Sequence, residues 1–229
     1  MKATRALISE IFSGSDGPGV RIECASTLRP TPGQYLLAQV ESSQQILPVP
    51  LFIESFENAT LVVPPPVPPE WFPGLELSLR GPLGCGFHLP SAARRLLLTD
   101  LGNHHGHRLL SLVNSAGHPL ETVLLTDNPP SDLPVEIEVL PPKSLGEILP
   151  WADFAAFELP LHQLKSLRGL SGLSSLSEFP VHCEALIDTP LICGGIASCG
   201  VCSVRLNHGW ALACKDGPVF RLNQLSEDE

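Results

Sequence analysis

Four of the seven cysteines fall between Cys193 and Cys214, spaced C-x5-C-x2-C-x11-C, and the first three are threaded through Gly194, Gly195, Ala197, Ser198 and Gly200. That is metal-ligand spacing. A loop that wraps a metal centre must aim several sulfurs inward while its own amides pass close by, and glycine reaches backbone conformations that a Cβ forbids. The plant-type [2Fe-2S] loop has C-x4-C-x2-C with a distant fourth cysteine, so the first gap here is one residue longer. Zinc is the rival, since four-cysteine zinc sites also use C-x2-C pairs. A zinc ribbon, however, normally brings two short-spaced pairs from two hairpins, not three clustered ligands and one outlier. A disulfide network is the third reading; without a cleavable signal, the expected compartment is the reducing cytoplasm. The candidate metal ligands are Cys193, Cys199, Cys202 and Cys214.

The elements that must hold this loop come earlier in the chain. Residues 3–63 alternate short apolar runs (6–8, 20–24, 35–40, 51–53 and 61–63) with turn chemistry at 14–19 and 30–33, and Leu75–Leu79 adds another alternating run. Short strands broken by Gly, Pro and Asp every ten residues or so describe a small antiparallel β-barrel. The proline run at 64–69 cannot join a ladder and is expected as a stiff connection over the surface. From Arg94 the pattern changes to strands at 96–98, 122–126, 136–140 and, last, 154–159, with helices at 108–116 and 144–151. Such alternation predicts a Rossmann-like α/β domain with a parallel sheet. The leucines at 164, 167, 170, 173 and 176 suggest one helix over 162–179, weakened by Gly169 and Gly172. The expected division is therefore a β-barrel over 1–92, the α/β domain over 93–180 and a cluster-binding segment over 181–229.

Composition narrows the function. The formal charge of -10 and pI near 5.2 disfavour nucleic acid and anionic membrane, both of which need a positive field. No apolar run approaches the length of a membrane span. No Ser-His-Asp or Cys-His arrangement is indicated by spacing, so hydrolysis is not supported. His104, His105 and His107 are a candidate second metal site, although adjacent loop histidines are usually solvated. Cys24 and Cys183 read as packed thiols, Cys85 as an isolated small hydrophobe with a redox thiol as the alternative, and GPLGCGF at 81–87 reads as a tight turn that closes the barrel.

The motifs CGGIASCGVC at 193–202, CKDGPVF at 214–220, GPLGCGF at 81–87 and Pro32-Gly33-Gln34 occur in an order that resembles the electron-transfer subunit of the two-subunit dihydroorotate dehydrogenase, a branch of the ferredoxin-reductase-like flavoproteins. The resemblance spans nearly the whole chain. It implies a [2Fe-2S] cluster on the four cysteines and, as partner in a hetero-oligomer, a catalytic flavoprotein of the dihydroorotate dehydrogenase type.

Two departures from that pattern carry expectations of their own. The turn where the family binds a nicotinamide nucleotide reads Thr99-Asp100-Leu101-Gly102-Asn103-His104-His105-Gly106-His107, with few glycines and a negative charge where phosphate should sit, so NAD(P) is not expected to bind. The strand that should hold FAD reads Leu47-Pro48-Val49-Pro50-Leu51-Phe52-Ile53, with neither the family's arginine nor its hydroxyl residue, so little or no FAD is expected. Two functions stay open on the sequence: an electron-transfer subunit working through the cluster, and a non-catalytic scaffold whose four cysteines hold structural zinc.

Overall fold

The computed structural model describes residues 3–14, 17–40 and 47–227. The turn expected at Ser15 and Asp16 lies outside the described residues. Seven strands form the N-terminal sheet: β1 Thr4–Gly14, β2 Gly17–Glu23, β3 Tyr35–Val40, β4 Val49–Phe52, β5 Ser55–Glu57, β6 Thr60–Val63 and β7 Glu76–Leu83. Their order is β4-β3-β7-β1-β2-β6-β5, antiparallel throughout. Among the described residues no ladder joins β4 to β5, so the expected barrel is an open, curled sheet whose edges stay unpaired. The proline run makes no ladder, as anticipated, but Pro64, Pro65 and Val67 are buried against this sheet and do not cross open surface.

The third strand shows how the sheet serves two cores. Successive side chains of a strand face opposite ways, and in β3 Leu36, Ala38 and Val40 enter the core of their own sheet, while Tyr35 and Leu37 enter the core of the rest of the molecule. The same split sends Leu51 inward and Phe52 outward on β4. This is why β3 reads as apolar on both faces from Tyr35 to Ala38.

The second sheet contains β8 Arg95–Asp100, β9 Glu121–Leu125, β10 Ile137–Leu140, β11 Phe154–Pro160 and β12 Cys183–Asp188, all parallel, in the order β10-β9-β8-β11-β12. Helix α1 (His107–Ser115) joins β8 to β9, the single turn α2 (Leu145–Ile148) precedes β11, and α3 (Leu164–Ser171) precedes β12. The connection reverses direction between β8 and β11, so their carboxyl ends flank the switch point where such sheets bind ligands. Two expectations need correction. The long helix over 162–179 is only α3, because Gly172 turns left-handed at φ 73° and stops it. The strand at 154–159 is not the last, since Cys183–Asp188 adds a parallel neighbour that is buried along nearly its whole length.

The C-terminal segment carries a hairpin, β13 Ser203–Leu206 with β14 Gly209–Leu212, and then β15 Val219–Arg221, which pairs antiparallel to β12. The cysteine loop is thus pinned at both ends to one edge of the parallel sheet. Among the described residues no helix is long and apolar enough to cross a membrane.

Candidate metal centre

The loop leaves β12 through buried Leu191 and reaches Cys193. Its glycines answer close approaches: a Cβ at Gly194 would lie 2.9 Å from Arg80 Nη2, and one at Gly195 would lie 2.9 Å from Tyr35 Oη. Both residues are left-handed, at φ 64° and 73°. The turn they make points amides at sulfur. The Cys193 thiol receives the N-H groups of Ser198, Cys199 and Ile196 and lies beside the Cys199 thiol, and these donors pull it down to about 6. On the inner side, the Cys214 amide points at Cys202 Sγ at 3.4 Å, and the Ala197 amide reaches the Cys214 thiol. Burial and the neighbouring Cys202 thiol push Cys214 up to about 12. Cys202 and Cys214 are buried, Cys193 is half-buried and Cys199 is exposed.

The four thiols therefore stand as two pairs, Cys193 with Cys199 on the outside and Cys202 with Cys214 inside. Among the described residues no group of three or more His, Cys, Asp or Glu side chains converges on a single ion. A structural zinc needs four ligands around one point at about 2.3 Å from sulfur. A [2Fe-2S] centre has two irons to share four thiolates, and the amides aimed at sulfur suit that negative charge. The donor set fits the cluster.

The other motifs converge beneath this loop. Gln34 Nε2 donates to the Gly84 carbonyl at 3.0 Å, the Phe87 amide to Pro32 at 2.8 Å, and the Cys85 amide to Gly217. Gly84 abuts Gly217 and Pro218 so tightly that a Cβ would sit 2.4 Å from the Gly217 oxygen. GPLGCGF thus docks the C-terminal CKDGPVF segment as well as making a turn. Cys24 and Cys183 are thiols that burial pushes up to about 11 and about 12. The three histidines part company: His104 faces Asp188 at 3.6 Å, His105 the Asn128 carbonyl at 3.1 Å, and His107 Glu54 at 3.4 Å.

Residues 190–226 match the family described as the iron-sulfur cluster binding domain of dihydroorotate dehydrogenase B. The whole fold is similar to that of an NADH-dependent reduced ferredoxin-NADP oxidoreductase, with a TM-score of 0.72 at 17% identity over 97% of this chain and 90% of that one. Phthalate dioxygenase reductase, described as a modular structure for electron transfer from pyridine nucleotides to [2Fe-2S], gives 0.57 at 12% identity over 90% and 87%. A ferredoxin NADP+ reductase from Neisseria gonorrhoeae gives 0.52 at 13% identity over 74% and 90%. Among curated proteins none matches the sequence. The fold is ferredoxin-reductase-like, and it carries a C-terminal segment similar to an iron-sulfur cluster binding domain. The chain's residues 190–226 are similar to the iron-sulfur cluster binding domain of dihydroorotate dehydrogenase B.

The seats where that fold would take nucleotides are filled by the chain's own side chains. At the end of β8 the Asp100 carboxylate accepts the Gly102 amide at 2.9 Å and the Gly106 amide, so the donors a phosphate would use already hold an anion. The cleft beside it, about 470 Å3, is lined by Asp100 and Asp127, with Lys143 as its one lysine or arginine. Between the sheets, the Arg108 guanidinium stacks 4.3 Å from the Phe52 ring centroid and pairs with Glu158 at 3.2 Å and Asp188 at 3.3 Å. Phe52 stands on the strand expected to offer FAD an arginine and a hydroxyl. Neither seat fits its nucleotide.

Glu158 gives this network a pH dependence. It is fully buried, and burial pushes its carboxyl up to about 7 against the pull of Arg108. A carboxyl raised on folding binds its proton more tightly in the native state, so stability falls as pH climbs from the ordinary glutamate range through about 7. Across that window Glu158→Gln should gain on the native chain by on the order of 3 kcal/mol, read as diverging urea midpoints between pH 5 and 8. Parallel pH profiles would refute the assignment.

Proposed function

We propose that Cys193, Cys199, Cys202 and Cys214 ligate a [2Fe-2S] cluster, and that the chain passes electrons between it and a catalytic flavoprotein of the dihydroorotate dehydrogenase type in a hetero-oligomer. The observation that carries this reading is the division of the thiols into two pairs in a loop whose amides face sulfur. The cluster, when bound, supplies one-electron chemistry. The chain supplies placement. Tyr35 and Leu37 share one buried apolar core with the inner pair, while Cys199 stays at the surface. In the same segment Ile192, Ile196, Val201 and, on the hairpin that follows, Trp210 are exposed apolar side chains, the surface a partner protein would cover.

The test is metal and sulfide analysis of protein purified without oxygen. About two irons and about two acid-labile sulfides per chain, with visible colour bleached by dithionite, are expected. A colourless protein holding about one zinc would establish the scaffold function instead.

A further inference from the structure

We propose that Arg80 and Tyr35 of the N-terminal sheet are positioning residues for the cluster, and that the charge of Arg80 raises its reduction potential. This rests on the cluster reading above. Neither residue belongs to the cysteine segment; both lie more than a hundred positions earlier in the chain. Arg80 Nη2 donates to the Gly194 carbonyl, one residue past Cys193. Tyr35 Oη donates to the carbonyl of Cys214 itself at 2.8 Å, and Tyr35 is fully buried. One clamp therefore holds each thiol pair.

The sheet is built to present both. Tyr35 pairs with Leu83 and Leu37 with Arg80, so one residue on β3 faces two, Gly81 and Pro82, on β7. Residues 80 and 83 of a regular strand would point to opposite faces. The bulge brings Arg80 and Leu83 to the same face, where a Cβ at Gly195 would lie 3.2 Å from Leu83 and one at Gly194 would lie 2.9 Å from Arg80. Among the described residues Arg80 has no carboxylate within ion-pair distance, whereas Arg21, Arg95 and Arg168 each have one and Arg108 has two. Its charge stays uncompensated beside the loop. A cluster gains negative charge on reduction, and net charge together with hydrogen bonding are the protein's levers on potential. A fixed cation at Gly194 favours the reduced state.

The experiment loads the full chain and its Arg80→Gln, Arg80→Lys and Tyr35→Phe variants with ferrous iron and sulfide without oxygen. Potentials are read by dye-mediated titration followed by electron paramagnetic resonance, and retention by the rate at which an iron chelator strips the cluster. Arg80→Gln should change the reduced-to-oxidised ratio at fixed potential by roughly tenfold, a shift of about 59 mV downward for one electron. Arg80→Lys, which keeps the charge, should recover most of that shift. Tyr35→Phe should lose its cluster to chelator several-fold faster. Loaded Arg80 variants that all match the native potential, or Gln and Lys variants shifted equally, would overturn the role of charge; an unchanged stripping rate in Tyr35→Phe would overturn the clamp. A native chain that takes up no iron would overturn the cluster reading and this inference together.

Discussion

Cys199→Ser and Cys202→Ser chains will purify without a cluster. One residue of each thiol pair is removed in turn, the exposed Cys199 of the outer pair and the buried Cys202 of the inner one. A serine hydroxyl is a poor substitute for a soft thiolate ligand. The two losses are expected to look different in the protein even though both erase the metal. Without Cys199, the Cys193 thiol keeps the Ser198 and Ile196 amides, and the inner half of the loop stays packed under Tyr35. At Cys202 a polar hydroxyl takes the place of a buried thiol, so this variant should also be less stable, by about 1–3 kcal/mol. The rhombic paramagnetic signal of the dithionite-reduced protein should fall at least roughly tenfold in both. Cys24→Ser and Cys85→Ser, remote in role from the loop, should keep it. A full signal in either ligand variant would remove that cysteine from the ligand set.

That the cysteine loop was legible in the sequence has a physical reason: ligands for one centre in a tight loop must be close in sequence, with small residues between them. What stands far off in the chain left no such trace. Arg80 and Tyr35 read as ordinary strand residues, because their contacts with Gly194 and Cys214 exist only once the N-terminal sheet is laid against the C-terminal loop. The docking of Gly84 on Gly217 was hidden for the same reason, and GPLGCGF looked like a turn and nothing more. Strand β12 is short and interrupted by Glu184, so its CEALID sequence shows neither regular alternation nor an unbroken apolar run, although five of its six residues are buried. The helix over 162–179 failed in the opposite way: a leucine every third residue persists beyond Gly172, but a left-handed residue ends the helix whatever the side chains that follow. The open edges of the first sheet could not be anticipated from strand count, because closure depends on whether the first and last strands in space meet.

Isolated protein, cluster loaded or not, will carry little or no FAD, and NADH will not reduce it. Flavin affinity in this fold needs a cation for the pyrophosphate and hydrogen bonds for the ring, and β4 offers Val49, Pro50, Leu51 and Phe52. Replacement cations are spoken for. Arg21 pairs with Glu10 at 3.0 Å, Arg29 lies over the Phe56 ring, Arg80 holds Gly194, and Arg108 is shared by Glu158 and Asp188. Charge-assisted hydrogen bonds contribute roughly 1.5–3 kcal/mol each, so losing two or three weakens binding by on the order of a hundredfold to a millionfold. Arg108 adds a further barrier, because withdrawing it from Phe52 to admit a ring would leave Glu158 buried without its cation. The nicotinamide side meets the Asp100 carboxylate already seated on the Gly102 and Gly106 amides. Heat-released flavin measured by fluorescence should be well below stoichiometric, and calorimetric titration with NADH should show no micromolar binding. Near-stoichiometric FAD, or bleaching of the cluster by NADH alone, would show that the Arg108 network opens. Electrons would then enter the chain from a hydride donor instead of from the proposed flavoprotein.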